Sequence, residues 1–340
     1  MKLRKIISLE EKKEFDKAII SLNNLIAEED KAEQKVYYRS FFRRLIERME
    51  LRNPYSGLKI EQLFEKFKYL NKEEGAPVIS LTAISGRLKN LERTITSLQA
   101  QSLAPASINL FISIEPFLVD EGFDLNDPQL KKLHDMGVNV FVVPNIGPYR
   151  KQLPIIKYMR DNGYPLETVF ITVDDDVIYP SNTIEMLVDN IKATNTVTAY
   201  RGREIVLENN RIGPYKNFRV PVDNISPFNL GTGKNGIAYK LSFFPELDEL
   251  FIGSVLAPTA DDVWCKWITG VYCIDTTILE PTAAYDKSKD FQETEPDDKV
   301  GLYHVFNAKG RNDVAMEAME IYFAEKGANL SSILAGIEND

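Results

Sequence analysis

The sequence predicts an α/β protein whose central sheet is mixed but largely parallel and is flanked by helices. From Pro77 onward, short apolar and β-branched runs alternate with amphipathic stretches, which indicates strands that alternate with helices. The runs are almost continuously apolar, as in strands that are buried on both faces. Hydrophobic residues make up 44% of the chain and charged residues 27%, so a globular core is expected.

The first part of this region holds two pairs of a strand and a helix. Residues 78–84 form an apolar, β-branched run, and residues 88–101 have the spacing of an amphipathic helix. Residues 108–114 form a second short strand, followed by an acidic loop and a helix near residues 129–134. Both pairs fit the pattern of a parallel sheet.

The next two strands lead to polar residues. Residues 138–143 form a third strand and residues 153–159 a third helix, and the fourth strand, residues 169–173, ends in three aspartates. In open α/β sheets, ligands bind beyond the carboxyl ends of the strands. Chemistry is therefore expected just after four strand ends, namely Ile84, Ile114, Val143 and Val173.

The first 75 residues differ in composition from the rest of the chain. Apolar residues recur there at three- and four-residue spacing among many charges, for example Phe15, Ile19, Leu22 and Ile26. This pattern predicts amphipathic helices. We expect a helical N-terminal extension over residues 1–75 and a second domain over residues 76–340. The extension would serve as a helical cap or join copies of the chain as a homo-oligomer, and a helix that binds a membrane or a partner is the alternative.

The charge balance and the cysteine content exclude several classes of protein. The chain has 41 Lys+Arg and 50 Asp+Glu, a formal net charge of -9, which argues against a broad nucleic-acid interface. Two cysteines cannot form a disulfide framework. The N-terminus lacks the apolar core of a signal peptide, and no apolar run approaches the roughly 20 residues that cross a bilayer. A cytoplasmic protein is expected, and peripheral attachment to the inner face of the membrane stays open.

Asp174, Asp175 and Asp176 place three carboxylates where the fourth strand ends. Side chains alternate along a strand, so Asp174 and Asp176 should share a face. Two such charges about 4 Å apart repel by roughly 4 kcal/mol at an effective dielectric of about 20. A cation would relieve this repulsion, and Mg²⁺ or Mn²⁺ suits carboxylate and phosphate oxygens. The alternative is a solvated acidic turn, or an aspartate that caps the following helix.

A second acidic pair, Asp261 and Asp262, precedes a stretch that reads as the start of a helix. Aspartate commonly caps helix N-termini and complements the helix dipole. A carboxylate at this place could instead deprotonate a sugar hydroxyl. The residues alone leave both interpretations open.

Three loops and one histidine add weaker signals. Ser85 and Arg87 follow the first strand, where backbone donors and a guanidinium could meet a phosphate. Residues 145–151 place two cations after the third strand, and residues 231–236 form a glycine-rich loop that could hold an acceptor or a phosphate. His304 is a candidate metal ligand, although a histidine flanked by apolar residues is more often structural.

The order and spacing of these sequence motifs resemble those of a known family. Residues 78–87 (VISLTAISGR) and 91–98 (LERTITSL) resemble the opening of GT-A fold glycosyltransferases. Residues 147–151 (GPYRK) and 174–180 (DDDVIYP) are similar to bacterial, family 2-like members that make surface polysaccharides. Residues 261–264 (DDVW) are similar to the acidic pair that typically carries the catalytic base there. The resemblance covers the second domain and not the N-terminal extension.

The resemblance implies a Rossmann-like GT-A domain that binds a nucleotide-sugar donor, a UDP- or GDP-sugar. Asp176 would bind the divalent metal, Mn²⁺ or Mg²⁺, and His304 would be a further ligand. Asp174 or Asp175 would contact the ribose or the waters of the metal. The nucleoside pocket would be lined by Ser85, Arg87 and Glu115, and Lys151 would offset phosphate charge.

The resemblance also implies the reaction, that of a metal-dependent hexosyltransferase. Asp262, supported by Asp261, would act as the base in an inverting displacement at the anomeric carbon. The acceptor, a hydroxyl of a saccharide or glycan, would bind against Gly231, Thr232 and Gly233. No nucleic-acid partner is implied.

Two other functions fit part of the sequence. In haloacid-dehalogenase-type, Mg²⁺-dependent phosphatases, an apolar strand ends in an aspartate motif like that after Val173. However, Ile178 stands where that motif needs Thr or Val, and here βα units precede a motif that usually opens the domain. A non-catalytic protein of the same fold that binds a nucleotide sugar or carbohydrate is the other alternative, although it would have no need of both acidic clusters.

Overall fold

The computed structural model describes Ser21 and residues 76–245, 247–284, 291–294, 307 and 310–339. The predicted helical extension, apart from Ser21, and the predicted metal ligand His304 lie outside the described residues. In chain order, the strands are β1 (Val78–Thr82), β2 (Ser107–Ile112), β3 (Asn139–Val142), β4 (Val169–Val173), β5 (Val177–Ile178), β6 (Val197–Ala199), β7 (Gly202–Glu204), β8 (Leu207–Glu208), β9 (Arg211–Ile212), β10 (Ile225–Ser226), β11 (Asn229–Gly231), β12 (Ile237–Lys240), β13 (Thr276–Ile278) and β14 (Gln292–Glu293).

The helices flank the central sheet. In chain order, they are α1 (Leu91–Gln99), α2 (Pro128–Asp135), α3 (Leu153–Asp161), α4 (Thr183–Thr194), α5 (Leu247–Leu256), α6 (Asp261–Val271), α7 (Arg311–Glu325) and α8 (Leu330–Asn339). Within the described ranges, none of these helices combines the length and the apolar composition that a membrane crossing requires.

The central sheet has eight strands in the order β10-β13-β6-β12-β4-β1-β2-β3. The strands β4, β1, β2 and β3 pair in parallel, and β13 and β6 also pair in parallel. The strand β12 runs antiparallel to both of its neighbours, and β10 pairs antiparallel with β13. The predicted class, an α/β fold with a mixed, largely parallel sheet between helices, is confirmed.

The register of the sheet brings the strand ends to one edge. Leu81 pairs with Val173, so that Asp174 follows β4 at the level of Thr82. On the other side of β1, Leu81 pairs with Leu110, and β2 in turn pairs with β3. The carboxyl ends of these parallel strands therefore meet at the edge where ligands bind in such sheets.

Large aromatic side chains fix the position of α6. Trp264 and Trp267 are fully buried, and the ring of Trp264 lies 5.8 Å from that of Tyr322 and 5.6 Å from that of Phe323, both in α7. Gly253 of α5 lies so close that an added Cβ would be 2.4 Å from the indole ring. Because close-packed contacts of this kind leave little freedom, the first turn of α6 is held rigidly.

Candidate functional site

A cavity of about 510 Å³ opens at the carboxyl ends of β1 and β4. Its walls come from the loop after β2, the 3-10 helix at Gly147–Lys151, the loop after β11 and the first turn of α6. Most of the residues that the sequence nominates for chemistry line it, namely Arg87, Lys151, Asp174, Asp175, Asp176, Thr232, Gly233, Asp261 and Asp262. The fold thus collects residues from five distant segments of the chain at one place.

The three aspartates after β4 differ in their surroundings. The side chains of Asp174 and Asp176 are 29% and 27% exposed, whereas that of Asp175 is 8% exposed, as the alternation of side chains along a strand predicts. Arg87 Nη1 lies 2.9 Å from Asp175 Oδ1 and 3.1 Å from Asp176 Oδ2. Burial raises the pKa of Asp175 to about 7, although Arg87 acts in the opposite direction. Asp174 and Asp176 are therefore the carboxylates that face a ligand.

Lys151 joins the two acidic clusters. Its ammonium Nζ lies 2.7 Å from Asp174 Oδ1 and 3.4 Å from Asp261 Oδ2. Burial opposes its charge, but these carboxylates raise the pKa of Lys151 well above its usual value. The sequence predicts that Lys151 offsets phosphate charge. In the structure, its ammonium already offsets the charges of two carboxylates.

Asp261 and Asp262 open helix α6 and have different contacts. The Asp261 carboxylate is buried and accepts a hydrogen bond from Gln152 Nε2 at 2.6 Å, besides its contact with Lys151. Asp262 accepts hydrogen bonds from the backbone N–H groups of Gly233 at 3.2 Å and Val263 at 2.8 Å. Burial, followed by the charge of Asp261, raises the pKa of Asp262 to about 6. The pKa of Asp262 is thus close to the value that suits a general base near neutral pH.

Three of the residues that the sequence nominates do not line the cavity. Ser85 donates its backbone N–H to Asp120 Oδ1, and Glu115 is exposed and accepts a hydrogen bond from the backbone of Asn145. Gly231 is buried within β11, where it pairs with Gly202 of β7. These three residues do not reach the cavity because each takes part in a turn or in a strand pairing. Residues next to them would have to make any contact with a ligand.

A buried ion pair supports the floor of the cavity. Arg150 is 2% exposed, and its Nη2 lies 2.9 Å from Asp120 Oδ2 and donates to the carbonyl of Ala83 at 3.1 Å. Its Nη1 donates to Ser113 Oγ at 3.2 Å. Asp120 also accepts from the backbone N–H of Ser85 at 3.0 Å. This network fixes the ends of β1 and β2 to the 3-10 helix that carries Lys151.

Three further cations line the cavity, Arg201, Arg203 and Lys234, and of these the sequence analysis includes only Lys234, as part of the glycine-rich loop at residues 231–236. Arg201 donates its Nε–H to Thr232 Oγ1 at 3.1 Å, and Arg203 lies over the ring of Tyr215, 5.2 Å from its centre. Lys234 forms an ion pair with Glu293. Burial lowers the pKa of both Arg201 and Lys234. The Arg-Gly-Arg pattern at residues 201–203 is the signal that could have revealed two of them.

Two asparagines add amide groups to the wall beside α6. Asn307 Nδ2 donates to the carbonyl of Thr259 at 2.8 Å, and Asn312 lies in the first turn of helix α7. Among the described residues, the side-chain oxygens of Asn307 and Asn312 are buried without a hydrogen-bond partner. Such oxygens can accept hydrogen bonds from hydroxyl groups. The walls of the cavity therefore include neutral amide groups as well as charged side chains.

Comparison with known proteins gives only distant likenesses. No protein-family model and no curated protein matches the chain. The structure is similar to that of 4-diphosphocytidyl-2C-methyl-D-erythritol synthase, with a TM-score of 0.40 and 10% sequence identity over 70% of this chain and 100% of that one. It is also similar to that of S. aureus TarS 1-349, with a TM-score of 0.40 and 12% identity over 73% of this chain and 72% of that one. At these values, the assignment of function depends on the geometry of the site.

Proposed function

We propose that the protein is a glycosyltransferase that moves a sugar from a nucleoside-diphosphate sugar to a hydroxyl group of a saccharide or glycan. The observation that carries this proposal is that two separate clusters of aspartates line the same cavity. Asp174 and Asp176 face it from the end of β4, and Asp262 faces it from the start of α6. Transfer of a sugar needs both a group that holds the leaving diphosphate and a base that activates the acceptor.

Asp262 is the residue that we expect to act as the base. Its pKa of about 6 leaves it ionised at neutral pH and still basic enough to accept a proton. Asp261 is less suited because Gln152 and Lys151 already occupy its carboxylate. We infer that Asp261 positions Lys151 and that Asp262 removes the proton from the acceptor hydroxyl. Attack from the face opposite the leaving group would invert the anomeric centre.

The residues at the end of β4 fit a divalent ion that is shared with the donor. No group of three or more potential ligand side chains exists among the described residues. However, Mg²⁺ is commonly bound by one or two carboxylates together with substrate phosphates, and Asp174 and Asp176 reach the cavity. We propose that these two residues hold Mn²⁺ or Mg²⁺ when the donor binds. The ion would supply positive charge to the departing diphosphate.

A thermal-shift panel tests the proposed function. UDP, GDP and their sugars are each added with and without Mn²⁺, and the unfolding temperature is measured. A donor that binds this cavity should raise the free energy of unfolding by about 2.7 kcal/mol at a hundredfold excess over its dissociation constant. Stabilisation by beryllium fluoride and not by any nucleotide would favour the phosphatase instead. Nucleotide-sugar binding without hydrolysis or transfer, over a broad acceptor panel, would favour a non-catalytic binding protein.

We expect activity to depend on pH with a midpoint near 6. Below that pH, Asp262 is protonated and cannot accept the proton of the acceptor, so kcat/KM should fall about tenfold per pH unit. Above it, the rate should reach a plateau. Initial rates of donor hydrolysis or transfer, measured from about pH 5 to about pH 8, check this expectation. A flat profile over that range would contradict the role of Asp262.

We expect Asp176→Ala to lose the contribution of the metal to nucleotide binding. Calorimetry should show that Mn²⁺ tightens UDP or GDP binding to the unsubstituted protein and not to the variant, because a hard ion depends on carboxylate ligands. The matched control is Asp189→Ala, on the exposed face of α4. If Mn²⁺ assists the Asp176→Ala variant to the same extent, Asp176 does not bind the metal.

A further inference from the structure

Arg201 is a partly buried cation in the wall of the cavity. Within the described part of the chain, no ion pair joins it to a carboxylate, and its Nε–H donates a hydrogen bond to the neutral hydroxyl of Thr232 at 3.1 Å. Asp174 and Asp262 act on it through space only. Four other basic side chains in the walls have carboxylate partners, in the pairs Arg87–Asp175, Arg150–Asp120, Lys151–Asp174 and Lys234–Glu293, and Arg203 lies over the ring of Tyr215.

A partly buried guanidinium without a carboxylate partner is suited to bind an anion. Removing a charge from water costs free energy unless a partner of opposite charge and hydrogen bonds replace the water. Burial lowers the pKa of Arg201, so its surroundings do not fully replace the water. The side chain is nevertheless held in place, because Thr232 binds its Nε. Its terminal nitrogens remain available to an anion in the cavity.

The neighbours of Arg201 favour a phosphate group as that anion. Arg203 lies two residues further on and lines the same cavity, with its guanidinium over the ring of Tyr215. Lys234 follows the glycine of the loop that carries Thr232. Guanidinium groups bind phosphate oxygens in pairs of parallel hydrogen bonds, and several cations in one wall suit a group with more than one negative charge.

We propose that Arg201 is the anchor of a phosphate-binding subsite, with Arg203 and Lys234 beside it. This proposal rests on the proposed function for the identity of the ligand. The phosphate would belong either to the diphosphate of the donor or to a phosphorylated acceptor. In both cases, the chemistry at the protein is the same. Positive charge at this wall would hold an anion beside the carboxylates of Asp174 and Asp176.

Calorimetry with inorganic pyrophosphate tests the subsite, and EDTA is included so that no metal contributes. Arg201→Gln should weaken pyrophosphate binding about tenfold to a hundredfold, because hydrogen bonds to charged groups are lost. Arg201→Lys keeps the charge without the paired geometry, so it should give an intermediate affinity. The matched control is Arg211→Gln, at an exposed position of β9, which should bind as the unsubstituted protein does.

Two further ligands distinguish the sources of the phosphate. Weaker binding of UDP and GDP to Arg201→Gln, with unchanged binding of glycerol 1-phosphate, would place the donor diphosphate at Arg201. The reverse result would place an acceptor phosphate there. Equal affinity of the unsubstituted protein and Arg201→Gln for all of these ligands, or no binding of any of them, would overturn the subsite.

The same measurements separate this inference from the proposed function. If UDP or GDP binds and Arg201→Gln has no effect, the subsite is wrong and the proposed function stands. If pyrophosphate binding depends on Arg201 but no nucleotide or nucleotide sugar binds, the subsite stands and the proposed function is wrong. Thermal unfolding of each variant shows whether a loss of affinity reflects a loss of fold, and Arg201→Lys decides the question if Arg201→Gln unfolds.

Discussion

Asp262→Asn is expected to lower kcat by about a hundredfold to ten-thousandfold, which is the usual contribution of a general base. An amide cannot accept the proton of the acceptor hydroxyl. The donor should still bind, because Arg87, Asp174 and Asp176 lie on another wall of the cavity. The measurement is kcat for transfer, together with donor affinity by calorimetry, in the variant and the unsubstituted protein.

The structure indicates how Asp262→Asn should be controlled. Asp262 accepts from the backbone N–H groups of Gly233 and Val263, and an asparagine side chain has one acceptor oxygen instead of two. One hydrogen bond is therefore lost, at a cost of about 1 kcal/mol of stability. Asp223→Asn, at an exposed position, is the matched control and should leave kcat unchanged. Near-normal turnover of Asp262→Asn would mean that Asp262 is not the base and only binds the backbone N–H groups of Gly233 and Val263.

Arg150→Met is expected to reduce the free energy of unfolding by about 3–5 kcal/mol. The variant keeps most of the side-chain volume but leaves the carboxylate of Asp120 buried without the guanidinium at 2.9 Å. It also removes the donors to Ala83 and Ser113, which join the ends of β1 and β2. Denaturant unfolding of the variant and of the unsubstituted protein measures the loss.

A double variant separates the ion pair from simple packing. Arg150→Met combined with Asp120→Asn removes both charges, so it should be more stable than Arg150→Met alone if the uncompensated carboxylate is the main cost. Arg211→Met, at an exposed position, should change the free energy of unfolding by no more than about 0.5 kcal/mol. Equal losses in Arg150→Met and Arg211→Met would show that the buried pair adds nothing to stability.

Individual strands and helices could be predicted because each depends on the spacing of apolar residues within a short stretch of sequence. Residues 169–173 are predicted as a strand and form β4, and the helix predicted to follow Asp262 is α6, which already begins at Asp261. The first strand is shorter than predicted, because β1 ends at Thr82 and a 3-10 helix, Ser85–Asn90, starts soon after. The hydrogen-bonded pairing of that strand with β2 ends at Thr82, whereas the apolar run that predicts the strand continues to Ile84.

The candidate site could be predicted in part for a related reason. Asp174 and Asp176 follow a strand, and the ends of parallel strands meet at one edge, so their position follows from the fold class. Arg201 could not be placed in this way. It reaches the cavity because Gly231 pairs with Gly202 in the small β7–β11 sheet, where an added Cβ on Gly202 would lie 2.4 Å from the carbonyl oxygen of Leu230. That pairing depends on tertiary packing that no local pattern reveals.

The aromatic contacts beneath α6 connect the far carboxyl-terminal segment to the acidic start of that helix. Tyr322 and Phe323 support Trp264, Glu320 accepts a hydrogen bond from Trp267 Nε1 at 2.7 Å, and Leu330 of α8 packs against Gly270. The ladders of the eight-stranded sheet, by contrast, are formed among strands that precede α7. Proteolytic trimming from the carboxyl end would therefore remove the packing contacts that position α6 and leave the strands of the sheet paired. Turnover would be lost before the sheet unfolds.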